Sequence, residues 1–229
     1  MTSMKNNTFF ITGTDTDIGK TYITIGLINL FKKNGNLAIG MKPISAGLEN
    51  FNGNMINADV KHLMEANSIN IQQKILNPYA FLDAASPHIA SIKENISIDF
   101  DLIKSQVEVL SDKSDYLFIE GAGGYECPLD KSRNLSDLIQ YINAPVIIVV
   151  GIKLGCLNHA ILTIKALEQK EQRVFGWIAN IVDPNMDFQV ENIAHLKEKI
   201  SYPYLGSVPY TVNDMKIDIS DYILWPSES

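Results

Sequence analysis

Thr8-Phe9-Phe10-Ile11-Thr12 runs directly into Gly13-Thr14-Asp15-Thr16-Asp17-Ile18-Gly19-Lys20-Thr21, and the reading of this stretch decides the fold. The first part is a short run of β-branched and aromatic residues that stops at a glycine, the pattern of a buried strand. Behind the second part Ile23, Leu27, Leu30 and Phe31 recur at helical spacing, and Gly35 stands where a left-handed cap would close that helix. A loop between a strand and a helix that ends in Gly-Lys-Thr turns backbone N–H groups toward an anion at the helix N-terminus. Lys20 would reach the outer phosphates and the Thr21 hydroxyl would coordinate magnesium. The glycine spacing departs from the usual phosphate-loop pattern, because Thr14 stands where the first glycine is expected and Gly13 precedes it. Asp15 and Asp17 add negative charge beside the phosphates, so one of them is expected to face magnesium or a positively charged part of a second substrate.

Working outward, further apolar runs occur at 37–41, 116–119, 145–150, 174–181 and 204–207, separated by longer segments of helical period such as Leu157, Ala160, Ile161, Ile164 and Leu167. This alternation predicts an α/β fold, a mostly parallel sheet with helices on both faces. Residues 47–58 and 78–99 break it with Asn, Pro, Ser and Gly in irregular order and read as loops with short helical pieces. Loops at the carboxyl ends of parallel strands line the ligand crevice, so these are candidates for function.

A second signature is the strand 116–119 ending at Glu120 and followed by Gly121, Ala122, Gly123 and Gly124. A carboxylate there can sit near the Thr21 hydroxyl and complete a hard-oxygen magnesium shell. The glycines lack the GxGxxG spacing of a dinucleotide fingerprint.

The chain has 229 residues, 46% of them hydrophobic, enough for one globular domain spanning 1–229. A net charge of −7 argues against nucleic acid or an anionic membrane as partner, since the long-range field repels both. No apolar run is long enough for a membrane helix, and residues 1–8 lack the apolar core of a signal peptide, so a cytoplasmic protein is expected. Cys127 and Cys156 form no metal-ligand or disulfide pattern. His62, His88, His159 and His195 read as packed or surface residues without a catalytic part. Any anionic ligand must then be held locally, which singles out Lys20, Lys42 and Lys153 beside glycine-bearing loops.

With these signatures in hand the sequence resembles dethiobiotin synthase of the biotin pathway over most of its length. The strings are GTDTDIGKT from Gly13, MKPISAG from Met41, NPYAF from Asn77, SPHIA from Ser86, EGAGG from Glu120, GIKLGCLNHAILT from Gly151 and the segment around 177–180. The first and sixth together separate this family from the partition and septum-site ATPases and the nitrogenase iron protein, which share its P-loop NTPase fold. A nucleotide switch acting on a protein or DNA partner is the rival reading, and the negative charge and the KP and GCLNH strings stand against it.

The resemblance implies an ATP- and magnesium-dependent ligase that carboxylates 7,8-diaminopelargonate with CO2 and closes a ureido ring. It implies that Lys42 contacts the carbamate and γ-phosphate, with Lys20 as the phosphate lysine. Asp17, Ile18, Gly19, Lys20, Thr21 and Tyr22 would wrap the phosphates, and Asp17 would also help orient the diamine. Glu120, Gly121, Ala122 and Gly123 would border the nucleotide. Thr21, Asp59 and Glu120 would hold magnesium, although Asp59 taken alone reads equally as a helix cap before Val60. Asn180, Ile181, Pro209, Tyr210 and Thr211 match adenine-side positions. Lys153 would support phosphate or the carbamate. Gly155, Cys156 and Asn158 would meet the substrate carboxylate across a homodimer interface. Ala46 stands where family members carry Ser or Thr; either Ser45 takes that place through a shifted loop or the bond is absent.

Overall fold

The computed structural model describes residues 7–211, 215 and 217–226. The chain runs β1 (Thr8–Gly13), α1 (Lys20–Lys33), β2 (Ala38–Met41), β3 (Ile44–Ala46), β4 (Glu49–Phe51), β5 (Asn54–Ile56), α2 (Ala58–Ala66), α3 (Gln73–Leu76), β6 (Tyr79–Phe81), α4 (Pro87–Glu94), α5 (Phe100–Asp112), β7 (Tyr116–Glu120), α6 (Leu135–Ile142), β8 (Val146–Ile152), α7 (Cys156–Gln169), β9 (Val174–Ile181), α8 (Gln189–Lys199) and β10 (Tyr204–Val208). The apolar runs of the sequence become one six-stranded sheet of order β10-β9-β8-β1-β7-β2. Its pairings are all parallel.

The strands distribute their side chains by the two-residue period of the pleat. Phe9 and Ile11 of β1 and Ile147 and Val149 of β8 point into one apolar layer, shared with Ile23, Leu27 and Phe31 of α1. Phe10, Val146, Ile148 and Val150 point into the other, which α5, α6, α7 and α8 cover with Val107, Leu138, Ile164 and Leu196. A strand buried on both faces has no polar side, which is why these runs read as continuously apolar. Gly35 has φ +80° just past α1, the left-handed stop its position predicts.

β1 pairs with β7 on one side and β8 on the other, so the connection order reverses at its carboxyl end and opens a crevice there. The loop after β1, Lys42 after β2 and Glu120 at the end of β7 all meet at that edge.

The segment 47–58 differs from expectation. It carries an antiparallel hairpin, β4 with β5, turned by Asn52 (φ 54°) and Gly53 (φ 88°). Both φ values are positive, as a two-residue hairpin turn with the right-handed twist of its strands requires. β3 and β6 form a further small parallel ladder. These pieces, with α4, stand beside the crevice.

Candidate active site

The site begins with how the phosphate loop is held. Ile18 is fully buried, and its side chain fills space that a Cβ at Gly13 or Gly151 would occupy. Burial of such a side chain is worth roughly 1.5–3 kcal/mol, so it anchors the loop to the sheet. The Asn180 side-chain amide donates to the Ile18 carbonyl at 2.8 Å. Gly19 has φ +81°, and a Cβ on it would overlap that amide. Gly19 is also the N-cap of α1 and offers no side chain to close the helix end. The first-turn N–H groups and the positive end of the helix dipole are thereby open to an anion.

Two cavities adjoin at this edge. The first, about 280 Å³, is lined by Asp17, Gly19, Lys20, Thr21, Tyr22 and Glu120 among others. The second, about 550 Å³, is lined by Ser45, Ala46, Asn57, Ala85, Ser86 and Cys127 among others. Thr16, Asp17, Lys42, Asp59 and Gly123 border both.

The charged side chains of the site are bonded to one another. The Lys42 ammonium donates to Asp59 Oδ2, and to Glu120 Oε1 at 2.8 Å. The Thr21 hydroxyl donates to the same Glu120 oxygen, also at 2.8 Å. Burial works to lower the Lys42 pKa, but the charges of Glu120 and Asp59 overcome it and hold the ammonium above the ordinary lysine value. Burial likewise works against the Asp59 carboxylate, and Lys42 with the Thr21 hydroxyl holds it below the usual range. Lys20 lacks such a partner: its ammonium donates to the Asp15 carbonyl at 2.8 Å, and burial pushes its pKa down to about 8.

The Asp15 carboxylate faces Lys153, whose Nζ donates to it at 2.7 Å. That hydrogen bond, against a smaller opposing effect of burial, lowers the Asp15 pKa. Of the two loop aspartates, Asp15 is thus neutralised by lysine, while exposed Asp17 faces the cavities.

The residues present fit a hard divalent cation. Two carboxylates and a hydroxyl converge, and Glu120 Oε2 is buried with no hydrogen-bond partner among the described residues. Oxygen donors of this kind suit magnesium. Asp59 is not a helix cap: Asn57 caps α2, accepting the N–H groups of Asp59 and Val60 at 3.1 and 3.4 Å. The Asp59 side chain is left for Lys42.

This geometry can be set beside known proteins. A family model described as an AAA domain matches residues 7–214. The ATP-dependent dethiobiotin synthetase BioD of Aliivibrio fischeri (strain MJ11) is 39% identical over 215 residues, 94% of this chain and 95% of that protein. The protein of the same name from Pseudoalteromonas translucida (strain TAC 125) is 41% identical over 217 residues, 94% of this chain and 96% of that one. The chain belongs to the ATP-dependent dethiobiotin synthetase family. Among solved structures, the MinD cell division protein of Aquifex aeolicus aligns with a TM-score of 0.58 at 16% identity, covering 95% of this chain and 94% of that one. A ParA family ATPase from Chlorobium tepidum TLS aligns at 0.57 and 14%, covering 96% and 98%. At such identities these neighbours speak to the fold alone, the P-loop NTPase architecture the sequence predicts.

Not every residue expected from the dethiobiotin synthetase pattern lies in the crevice. Ile18 serves through its backbone, since its side chain is in the core. Gly121 is buried against Leu135 and Phe10, and Ala122 lines the larger cavity. Ile181 ends β9. Pro209, Tyr210 and Thr211 follow β10, and Thr211 reaches the rim by donating to the Tyr22 hydroxyl at 2.6 Å. Gly155 and Asn158 are exposed and border neither cavity. Cys156 is turned inward: its side chain is 1% exposed in the core and its N–H donates to the Lys153 carbonyl at 3.0 Å.

Sequence reasoning missed Thr16, Asn57, Asn77, Ser86 and Cys127. Asn77 accepts from the Ser45 hydroxyl at 2.9 Å and donates to the Lys42 carbonyl at 2.7 Å, fixing both neighbours. Its place in the NPYAF string was the available signal. Burial raises the Cys127 thiol pKa, so this residue lines the cavity as a neutral group.

Proposed function

We propose that the chain makes dethiobiotin, the ring-closing step of biotin biosynthesis, from 7,8-diaminopelargonate, CO2 and ATP, as a single domain in the cytoplasm. The observation that carries this reading is the pair of adjoining cavities with Lys42 on their shared border. One cavity has a phosphate loop and the other is wide enough for a second small molecule.

In the proposed reaction one amine captures CO2 as a carbamate and loses a proton. A carbamate oxygen attacks the γ-phosphorus and ADP leaves. The second amine then attacks the carbonyl carbon, the ring closes, and phosphate departs carrying an oxygen that came from CO2. Phosphoryl transfer of this kind needs mainly positioning and charge neutralisation. Lys20 and the N–H groups at the start of α1 hold the phosphates. Lys42 reaches the charge that moves between the carbamate and the γ-phosphate. Thr21, Asp59 and Glu120 would hold magnesium, which when bound offsets phosphate charge. Asp17, exposed on both cavities, suits the positive diamine. Ser45 donates its proton to Asn77, so its oxygen keeps lone pairs for an N–H of the diamine, which supports Ser45 in the place the family gives to Ser or Thr at position 46. Asn180, Ile181, Pro209, Tyr210 and Thr211 form the adenine side.

The carboxylate tail is assigned to a second copy of the chain. Leu154, 88% exposed just before α7, and Leu162, 56% exposed on it, lie four residues to either side of exposed Asn158. A two-fold homodimer would cover these apolar residues and bring Gly155 and Asn158 to the partner's cavity. Cys156 shapes this turn and Lys153 braces the loop through Asp15.

The test is product formation. Purified protein given MgATP, radiolabelled bicarbonate and the diamine should yield labelled dethiobiotin, and none when ATP or the diamine is omitted. ATP hydrolysis that ignores the diamine and is stimulated by DNA or vesicles would refute the proposal.

A further inference from the structure

Lys42 and Lys20 are both buried beside the phosphate loop, yet only Lys42 is bonded to the carboxylates. Its ammonium takes Asp59 Oδ2 and Glu120 Oε1, and Glu120 is 1% exposed. The same Glu120 oxygen accepts from Thr21. Lys42 therefore stands among the very groups, Thr21, Asp59 and Glu120, that fit a divalent cation. A buried carboxylate without a cationic partner is strongly disfavoured, and Lys42 is the partner that offsets Glu120 and Asp59. Lys42 and Thr21 are on Oε1 and leave Oε2 open among the described residues, but two cations on the two oxygens of one buried carboxylate still stand close enough to repel.

We infer that Lys42 is the resident cation of the free enzyme's metal seat, and that it must leave Asp59 and Glu120 before they can hold a divalent ion. The inference rests on the reading of those residues as the metal seat. Departure is easy only when Lys42 has another anion to go to, and Lys42, Asp59 and Glu120 all line the phosphate cavity, so phosphates bound there would be within its reach. Metal should consequently bind the nucleotide-free protein weakly, and bound phosphates should tighten it by drawing Lys42 away. Lys20, bonded to the Asp15 carbonyl, takes no part in this exchange.

The experiment is manganese binding to the nucleotide-free protein, followed by the electron paramagnetic resonance of unbound manganese. Lys42→Met should bind manganese at least roughly tenfold more tightly than wild type, the order expected from removing one charged hydrogen bond that competes for the site. Lys42→Arg, which keeps the charge, should bind as weakly as wild type. Manganese should also raise the melting temperature of Lys42→Met more than that of wild type. If Lys42→Met does not fold without metal, Lys42→Gln is measured in the same way. Unchanged or weaker binding in the neutral variants overturns the inference. Adding Glu120→Gln to Lys42→Met tells the two readings apart: loss of the gained affinity supports both, and retention of it shows that the seat itself was wrongly placed.

Discussion

The two adjoining cavities are built by different means. The phosphate cavity is made by the ends of neighbouring parallel strands and the first turn of α1, with Ile18 and Asn180 fixing the loop from below. Its groups are set by the main sheet, and Lys20, which borders this cavity and not the larger one, has no carboxylate bonded to it among the described residues and is shifted down by burial. The larger cavity is assembled from pieces outside the main sheet: β3 with β6, the residues before α2, and the start of α4. It is lined mostly by small side chains, and Lys42, on the border it shares with the phosphate cavity, is clamped by two carboxylates. The contrast teaches that the main parallel sheet builds the phosphate half, while short elements beside it build the half that, on the proposed reaction, would hold what receives the phosphoryl group.

The sharpest way to break this comparison is at its border. Lys42→Ala should lower turnover by roughly 10- to 100-fold, since a charge-assisted hydrogen bond is worth about 1.5–3 kcal/mol, and should weaken nucleotide binding less than turnover. Lys20→Ala, on the phosphate side alone, should weaken both. Steady-state kinetics with direct nucleotide titration checks this, and identical profiles for the two variants would erase the distinction between the halves. A second test concerns the substrate carboxylate, which the proposed dimer would hold with Asn158 of the neighbouring copy. Lys20→Ala and Asn158→Asp, each inactive as homodimers, should recover about a quarter of wild-type activity when co-expressed, because half of randomly paired dimers are mixed and each carries one intact site. No recovery in mixed dimers shown to form would place the carboxylate within one subunit.

The smallest effect is a control outside both cavities. Asp137 accepts the Asn134 N–H at 2.7 Å and a Lys170 hydrogen bond at 2.8 Å at the start of α6. Burial opposes its charge, but Lys170 and that N–H hold its pKa below the ordinary 3.8. Because the folded value is the lower one, its contribution is present above about pH 4 and is lost as pH falls through the folded value. Asp137→Asn should cost no more than about 1 kcal/mol near neutrality, with the difference from wild type fading in acid and turnover unchanged. Denaturant unfolding at several pH values measures it.

How far the sequence reached follows the same division. The phosphate half was legible because its signals are local: strand, loop and helix are consecutive, and Glu120 ends an apolar run. All the expected strands entered the main sheet. The larger cavity's half was less legible. β3 and β6 are three residues each and pair across more than thirty positions, which no local pattern announces. The β4–β5 hairpin did carry the Asn52-Gly53 signal, but its strands are largely exposed and lack apolar alternation, so the segment read as a loop. Asp59 was ambiguous because a helix-start aspartate is usually a cap, and only the structure shows Asn57 in that place. Cys156 lay in a family string, and its inward turn depends on packing against the sheet.

The central claim is that the carbamate, and no water molecule, attacks the γ-phosphate where the two cavities meet. The most direct measurement supplies heavy-oxygen-labelled CO2 to the protein with MgATP and the diamine, and reads the phosphate by mass spectrometry before the label exchanges with water. One labelled oxygen in each released phosphate is the predicted result, with no phosphate released when the diamine is left out. Unlabelled phosphate, formed at the same rate with or without the diamine, would contradict the account.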